Sequence, residues 1–257
     1  MFPTKKFFFA SMAFLLFHVA AAAELNPDFE AGYFPSSCNE GMNYRLFVPE
    51  SSSVNPALPF VIFLHGAGQR GDDNLSQLTH GAKAIREFTL NTDQPAIILA
   101  AQVPTGEQWV NTPWGDDRHA IPSDPSCSMA NLMGLVSHLA VQLPVDRDRI
   151  YVTGLSMGGF GTWDILARMP DFFAAAIPIC GGADLRTAAL IKDVPIWIFH
   201  GELDTIVKTS RSREMQAALL AVGASSRYTE YPGVEHDSWT MTYSDSAVMQ
   251  WLFDQHR

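Results

Sequence analysis

The sequence predicts an α/β protein, a doubly wound and mostly parallel sheet with helices on both faces. Strand-like and helix-like segments alternate along most of the 257 residues, which implies strand–helix–strand units. The run 59–64 (Pro59-Phe-Val-Ile-Phe-Leu64) is continuously apolar, the mark of a strand buried on both faces of a parallel sheet. The stretch 149–169 passes from a β-branched and aromatic run through a glycine-rich turn into helical spacing that stops before Pro170.

Residues 26–37 carry Tyr33 and Phe34 and predict an edge strand. Residues 42–48 alternate and end before Pro49, so they read as a strand, and 51–56 as a loop. After the strand at 59–64 comes a glycine-rich loop, 65–71, then a helix over 82–90 and a strand over 96–100. A long loop, 103–126, contains Trp109, Trp114 and four prolines, and 129–143 is helical. Beyond the 149–169 unit, strands are expected over 172–180, 194–199 and 226–231. Helices are expected over 209–222 and 244–256. Few residues separate 180 from 194, so no lid domain fits there, and the cleft above the sheet is expected to be open.

The N-terminus is of a different kind. Lys5 and Lys6 form a basic start, 7–17 is almost entirely apolar, and Ala20 to Ala23 offer small residues for cleavage before Glu24. This pattern predicts a signal peptide over 1–23 and one exported domain over 24–257, secreted or periplasmic, with no stable membrane association after cleavage. Loss of Lys5 and Lys6 takes the net charge from −10 to −12. So acidic a chain, without a basic patch, is a poor partner for nucleic acid or an anionic membrane. Of three cysteines, Cys180 ends an apolar run and reads as a buried thiol. Cys38 and Cys127 lie in polar, loop-like stretches and are expected to pair in an oxidising compartment.

The turn at 154–158 is Gly154-Leu-Ser-Met-Gly158. Glycines on either side of Ser156 permit a turn sharp enough to project its hydroxyl above the sheet, with a helix N-terminus just behind it. A serine hydroxyl is a weak nucleophile and needs a base, usually a histidine held by a carboxylate. Asp204 follows the strand at 194–199 and His236 follows the strand at 226–231, in the chain order serine, acid, histidine. All three then lie at the C-terminal ends of parallel strands, where ligands bind in such sheets. Glu202 is the alternative acid. A tetrahedral intermediate needs two backbone N–H donors. Met157 follows the serine, and Ala67, with Gly68 second, lies in the loop after the strand at 59–64. His65 and His200 read as loop-structuring residues, and His80, His119 and His138 as surface or packing residues. Asp72, Asp73 and Asn74 read as a solvated turn. Gly66, Gly68 and Gly71 match the spacing of a dinucleotide fingerprint without its context. No metal-ligand pattern stands out, and no cofactor is expected.

With these residues in place, the chain resembles the α/β-hydrolase superfamily. Within it, the similarity is to secreted serine esterases near polyhydroxybutyrate depolymerases, feruloyl and acetylxylan esterases, and a group of predicted peptidases. Leu64-His-Gly-Ala-Gly-Gln-Arg-Gly-Asp-Asp73, Gln108-Trp109, the run 146–159, Gly161-Thr-Trp163, His200-Gly-x-x-Asp204, and Tyr231-Pro-Gly-Val-Glu-His236 with Trp239 carry it. The resemblance implies an α/β-hydrolase fold and a catalytic triad of Ser156, Asp204 and His236. The expected activity is hydrolysis of short-chain or aromatic esters, either small molecules or polysaccharide-linked. Trp109, Trp114 and Trp239 are the candidate pocket walls, since flat apolar faces suit an aromatic acyl group or a sugar ring. A prolyl-oligopeptidase-like peptidase and a non-catalytic binding protein on the same fold are the alternatives.

Overall fold

The structure, a computed structural model, describes residues 29–36, 38, 41–49 and 57–257. The signal peptide expected over 1–23 and the loop expected over 51–56 lie outside these residues.

Among the described residues, eight strands form one sheet: β1 (Glu30–Phe34), β2 (Met42–Phe47), β3 (Leu58–Leu64), β4 (Ile97–Gln102), β5 (Val145–Leu155), β6 (Ala175–Ile179), β7 (Ile196–Gly201) and β8 (Ser226–Tyr231). Their order is β1-β2-β4-β3-β5-β6-β7-β8. β1 and β2 run antiparallel to their neighbours, and every pair from β4–β3 to β7–β8 is parallel. The sheet is thus mostly parallel, as the apolar run in β3 demands, and all residues of that strand are buried.

Six helices among the described residues cover it: α1 (Ala82–Asn91), α2 (Cys127–Gln142), α3 (Met157–Arg168), α4 (Ser210–Ala221), α5 (Trp239–Ser244) and α6 (Ser246–Phe253). The strand period of two sorts the core into two layers. Phe60, Ile62 and Leu64 face one side, with Leu132 and Leu135 of α2, Phe160 and Trp163 of α3, and Met215 of α4. Val61 and Phe63 face the other, with Ile85 of α1, Tyr243 of α5 and Leu252 of α6. The single helix expected over 244–256 is instead two. Asp245 has an extended backbone and caps α6 by accepting from the Ala247 N–H, so the chain restarts its helix there.

The position of the site follows from the strand order. α1 carries the chain from β3 to β4, on one side, and α3 carries it from β5 to β6, on the other. The crevice between the C-terminal ends of β3 and β5 is therefore the topological switch point of the sheet. The connection from β6 to β7 contains only the short 3-10 turn Leu185–Thr187. Cys38 and Cys127 form a disulfide with a sequence separation of 89, tying the segment after β1 to the first residue of α2. Cys180 is free and buried.

Candidate active site

Ser156 stands between β5 and α3 at φ 53° and ψ −117°, a backbone region that a residue with a side chain rarely occupies. Neighbours hold it there. Its N–H donates to the Ile179 carbonyl at the end of β6 (2.9 Å), and its carbonyl accepts from Phe160 in α3 (3.1 Å). At Gly158 a Cβ atom would come within 2.0 Å of the Leu64 carbonyl oxygen, so only glycine lets the start of α3 press against the end of β3.

Asp204 and His236 arrive on loops after β7 and β8. These two loops lock together through Glu202 N–H to the Tyr231 carbonyl (3.0 Å) and Leu203 N–H to the Val234 carbonyl (2.8 Å). The structure brings Ser156, His236 and Asp204 into one line. His236 Nε2 lies 2.9 Å from Ser156 Oγ, and His236 Nδ1 lies 2.7 Å from Asp204 Oδ2. Asp204 Oδ1 accepts from the N–H groups of Ile206 (2.8 Å) and Val207 (2.9 Å). Burial of this carboxyl opposes its ionisation, but bonds from His200, His236 and Val207 outweigh burial and hold it well below the usual carboxylate range. Glu202 turns away and accepts from the Gly233 N–H (2.8 Å).

The two expected oxyanion donors lie on the same edge. Met157 opens α3, so its N–H has no carbonyl of the helix to meet. β3 and β5 pair in register at Leu64 and Gly154, which brings the loop after β3 beside residues 155–157. His65 orients that loop. Its Nδ1 donates to the Gly66 carbonyl (2.7 Å), which also accepts from Gln69 N–H (3.2 Å). In a trans peptide the next N–H points the opposite way, so Ala67 N–H is turned away from the His65 ring. His65 Nε2 accepts from the Val103 N–H (3.0 Å), which fixes the tautomer. Burial pushes the His65 ring down to about 4, so it stays neutral and can accept at Nε2. Asp73 binds the Leu75 and Ser76 N–H groups and Gln102 Nε2, which makes the 72–74 turn a structural support of this loop. Gly66, Gly68 and Gly71 surround the 3-10 turn Ala67–Gln69 and open no long helix of the kind a dinucleotide requires.

The three tryptophans separate. Trp109 is fully buried and is not a pocket wall. Its indole N–H donates to the His65 carbonyl (3.1 Å), and its ring packs on the His65 ring, so it braces the loop after β3. A wall was expected of it because an aromatic in a long loop reads as exposed; the core is what claims it. Trp114 is half-buried, with the Arg70 guanidinium 5.8 Å from its ring. Trp239 is half-buried and meets the His236 ring edge-on at 5.3 Å, with His80 on another side at 5.7 Å. His119 is a packing residue, as expected: half-buried, it packs against Phe160 and bonds with Arg211, and burial and that cation push it down to about 4. The loop 103–126 is strapped to the body through this contact and through Lys208 to Asp117 and Arg118 to Glu214.

The sequence reading did not foresee two further neighbours of the line. His200 Nε2 lies 3.1 Å from Asp204 Oδ2. The Cys180 thiol comes within 4.8 Å of ligand atoms of both Asp204 and His236. Cys180, Asp204 and His236 have the spacing of a metal-ligand trio, but the carboxylate is already saturated by donors and burial pushes the thiol far up, so the set suits a proton line better than a cation.

A nucleophile elbow beside the switch point, with a serine–histidine–aspartate line running from the end of β5 to the loops after β7 and β8, defines the α/β-hydrolase class. Residues 50–247 match the phospholipase/carboxylesterase family, and the chain belongs to it. A crystal structure of a thermostable esterase is similar over 90% of this chain and 64% of its own, with 38% identity and a TM-score of 0.83. A poly(3-hydroxybutyrate) depolymerase of Ralstonia pickettii is 28% identical over 57% of this chain and 30% of its own length. A bifunctional acetylxylan esterase/xylanase of Neocallimastix patriciarum is 23% identical over 65% of this chain and 22% of its own. The chain thus spans less than two thirds of each of these relatives.

Proposed function

We propose that this protein hydrolyses carboxylic esters through an acyl-enzyme on Ser156. His236 takes the hydroxyl proton as Ser156 attacks the ester carbonyl. The Ala67 and Met157 N–H groups hold the oxyanion, and His236 then protonates the leaving alcohol. In the second half His236 activates water, and the acid leaves. Asp204 orients the ring and stabilises its cation. The observation that carries the reading is the unbroken line from Ser156 Oγ through His236 to Asp204, at 2.9 and 2.7 Å.

The substrate class proposed is short-chain or aromatic esters, including those linked to carbohydrate. Trp239, beside His236, and Trp114, beside the oxyanion loop, offer aromatic surface to such groups. Relatives named for polyester and acetylxylan esters support the choice. Export through residues 1–23 is part of the same reading, and the Cys38–Cys127 disulfide fits an oxidising compartment.

The test is labelling with a fluorophosphonate followed by a panel of acetyl, butyryl, feruloyl and long-chain esters. Labelling at Ser156 together with turnover of the short or aromatic members is the expected result. A folded protein that neither labels nor hydrolyses any ester would overturn the proposal; labelling with peptide but not ester cleavage would move it to the peptidases.

A further inference from the structure

We propose that His200 is a positioning residue for the acid of the triad, a second imidazole that shares Asp204 with His236 and so sets how basic His236 becomes. The inference rests on the triad reading above and extends it inward by one residue.

The geometry leaves little freedom. His200 is the penultimate residue of β7 and is fully buried. Its Nε2 lies 2.9 Å from the Val207 carbonyl oxygen and 3.1 Å from Asp204 Oδ2. Both partners are acceptors, so Nε2 carries a proton whatever the charge of the ring. Nδ1 lies 2.7 Å from Ser212 Oγ on α4, which fixes the ring from its other side. The single N–H on Nε2 donates to the Val207 carbonyl and leans on Asp204 Oδ2 at 3.1 Å, so Oδ2 has two ring nitrogens beside it, His236 Nδ1 bonded at 2.7 Å and His200 Nε2 as the weaker, shared contact. Two backbone N–H groups occupy Oδ1. The spacing of the two residues, at i and i+4 across the end of a strand and its turn, brings them together.

Sharing has a consequence for the reaction. Each donor withdraws negative charge from Oδ2, and what His200 takes is not available to the His236 cation. Removal of His200 as a donor concentrates charge on Oδ2, strengthens its bond to His236 Nδ1, and raises the pH at which His236 protonates. The other groups facing this centre leave that direction unchanged. Just past the end of β6 there is Cys180, whose thiol burial keeps protonated. On β8 Glu230 pairs in register with His200 and is bound by Arg213. On the loop after β8, Glu235 is exposed and Asp237 bonds to Thr240. Glu202 is held by Gly233.

The experiment compares His200→Leu, His200→Gln and Ser212→Ala with the unaltered chain. Two quantities are read: the acid limb of kcat/KM against pH for a soluble ester, and the low-field proton resonance of His236 Nδ1–H. In His200→Leu the acid limb is expected to rise by about half to one pH unit and the resonance to move downfield, with KM within about twofold. His200→Gln keeps a side-chain N–H donor and should return both readings toward those of the unaltered chain. Ser212→Ala frees the ring and should give a smaller shift in the same sense, which serves if His200→Leu does not fold. A folded His200→Leu, or failing that Ser212→Ala, with limb and resonance both unmoved would overturn the proposal. The resonance needs no substrate: a shift without any ester turnover would sink the proposed function and leave this inference standing.

Discussion

Ser156 stores strain that its neighbours hold in place. A non-glycine residue at φ 53° and ψ −117° costs on the order of 1–3 kcal/mol, and the bonds to Ile179 and Phe160 leave it no relaxed alternative. Ser156→Ala should therefore fold normally, and it should lose on the order of a millionfold in ester kcat. His236→Ala should be nearly as damaging. Asp204→Asn should lose about ten-thousandfold, because it upsets the tautomer of His236 but leaves the nucleophile and the oxyanion donors. Steady-state kinetics on purified variants checks the ranking, and more than a few per cent of activity in folded Ser156→Ala would sink the assignment. His65 gives a prediction about stability. Its folded-state value of about 4 lies below the model-peptide value of 6.5, so between those limits the unfolded chain binds a proton that the folded chain does not. Stability must then fall with pH from about 6.5 to 4, by at most about 3 kcal/mol from this one group. Asp204 acts in a lower window, since its depressed value removes stability only as pH drops below the ordinary carboxylate range. Urea midpoints at pH 7, 6, 5 and 4 should decline steadily; a flat profile from 7 to 5 would count against a neutral, buried His65.

Elements place what these residues do. The loop bearing His236 lies directly on the end of β7, where a Cβ at Gly201 would approach the Glu235 carbonyl oxygen within 2.0 Å. Gly201→Ala must push the histidine loop outward, and a displacement of about 1 Å in a catalytic group can cost about a hundredfold in rate. The expected variant keeps its fluorescence spectrum and KM and loses kcat. At this scale the sequence was largely legible. Every strand from β2 to β8 and the helices α1 to α4 announce themselves by composition and period, and the elbow by its two glycines. α5 was not legible, because its six residues, Trp239–Ser244, carry no clear apolar period and its start is fixed by Ser238 and Asp237 in three dimensions. Nor were the tertiary roles of Trp109 and His200. A buried tryptophan and a histidine sharing a carboxylate are recognised by what surrounds them, and neighbours from distant parts of the chain leave no mark at residues 109 or 200. That Ser156, Asp204 and His236 meet could be read because chain order and strand ends bring them to one sheet edge.

At the scale of the whole molecule, a covalent link ties the segment after β1 to the far end of the long loop. The Cys38–Cys127 bond anchors the N-terminus of α2, whose cap Ser126 donates from its hydroxyl to the Trp109 carbonyl (2.7 Å) and so connects to the brace beneath the loop after β3. Cys127→Ser should lower stability by roughly 2–4 kcal/mol through greater freedom of the unfolded chain. The melting temperature of the variant and a thiol count on the denatured, unreduced parent check this. One free thiol, Cys180, is expected; three would mean that the bond does not form.

The order of the triad along the chain has a meaning in time. Ser156 and His236 are 80 positions apart, so a ribosome that has finished the elbow has still to make the histidine proposed to activate it. The bonds that hold the serine come from the end of β6 and from α3, and neither involves a residue of β8. A nascent chain arrested before residue 226 should carry a formed but unreactive nucleophile, deaf to fluorophosphonates. Reactivity would then switch on only as the last strand docks, which makes synthesis itself the timer of the enzyme's activation.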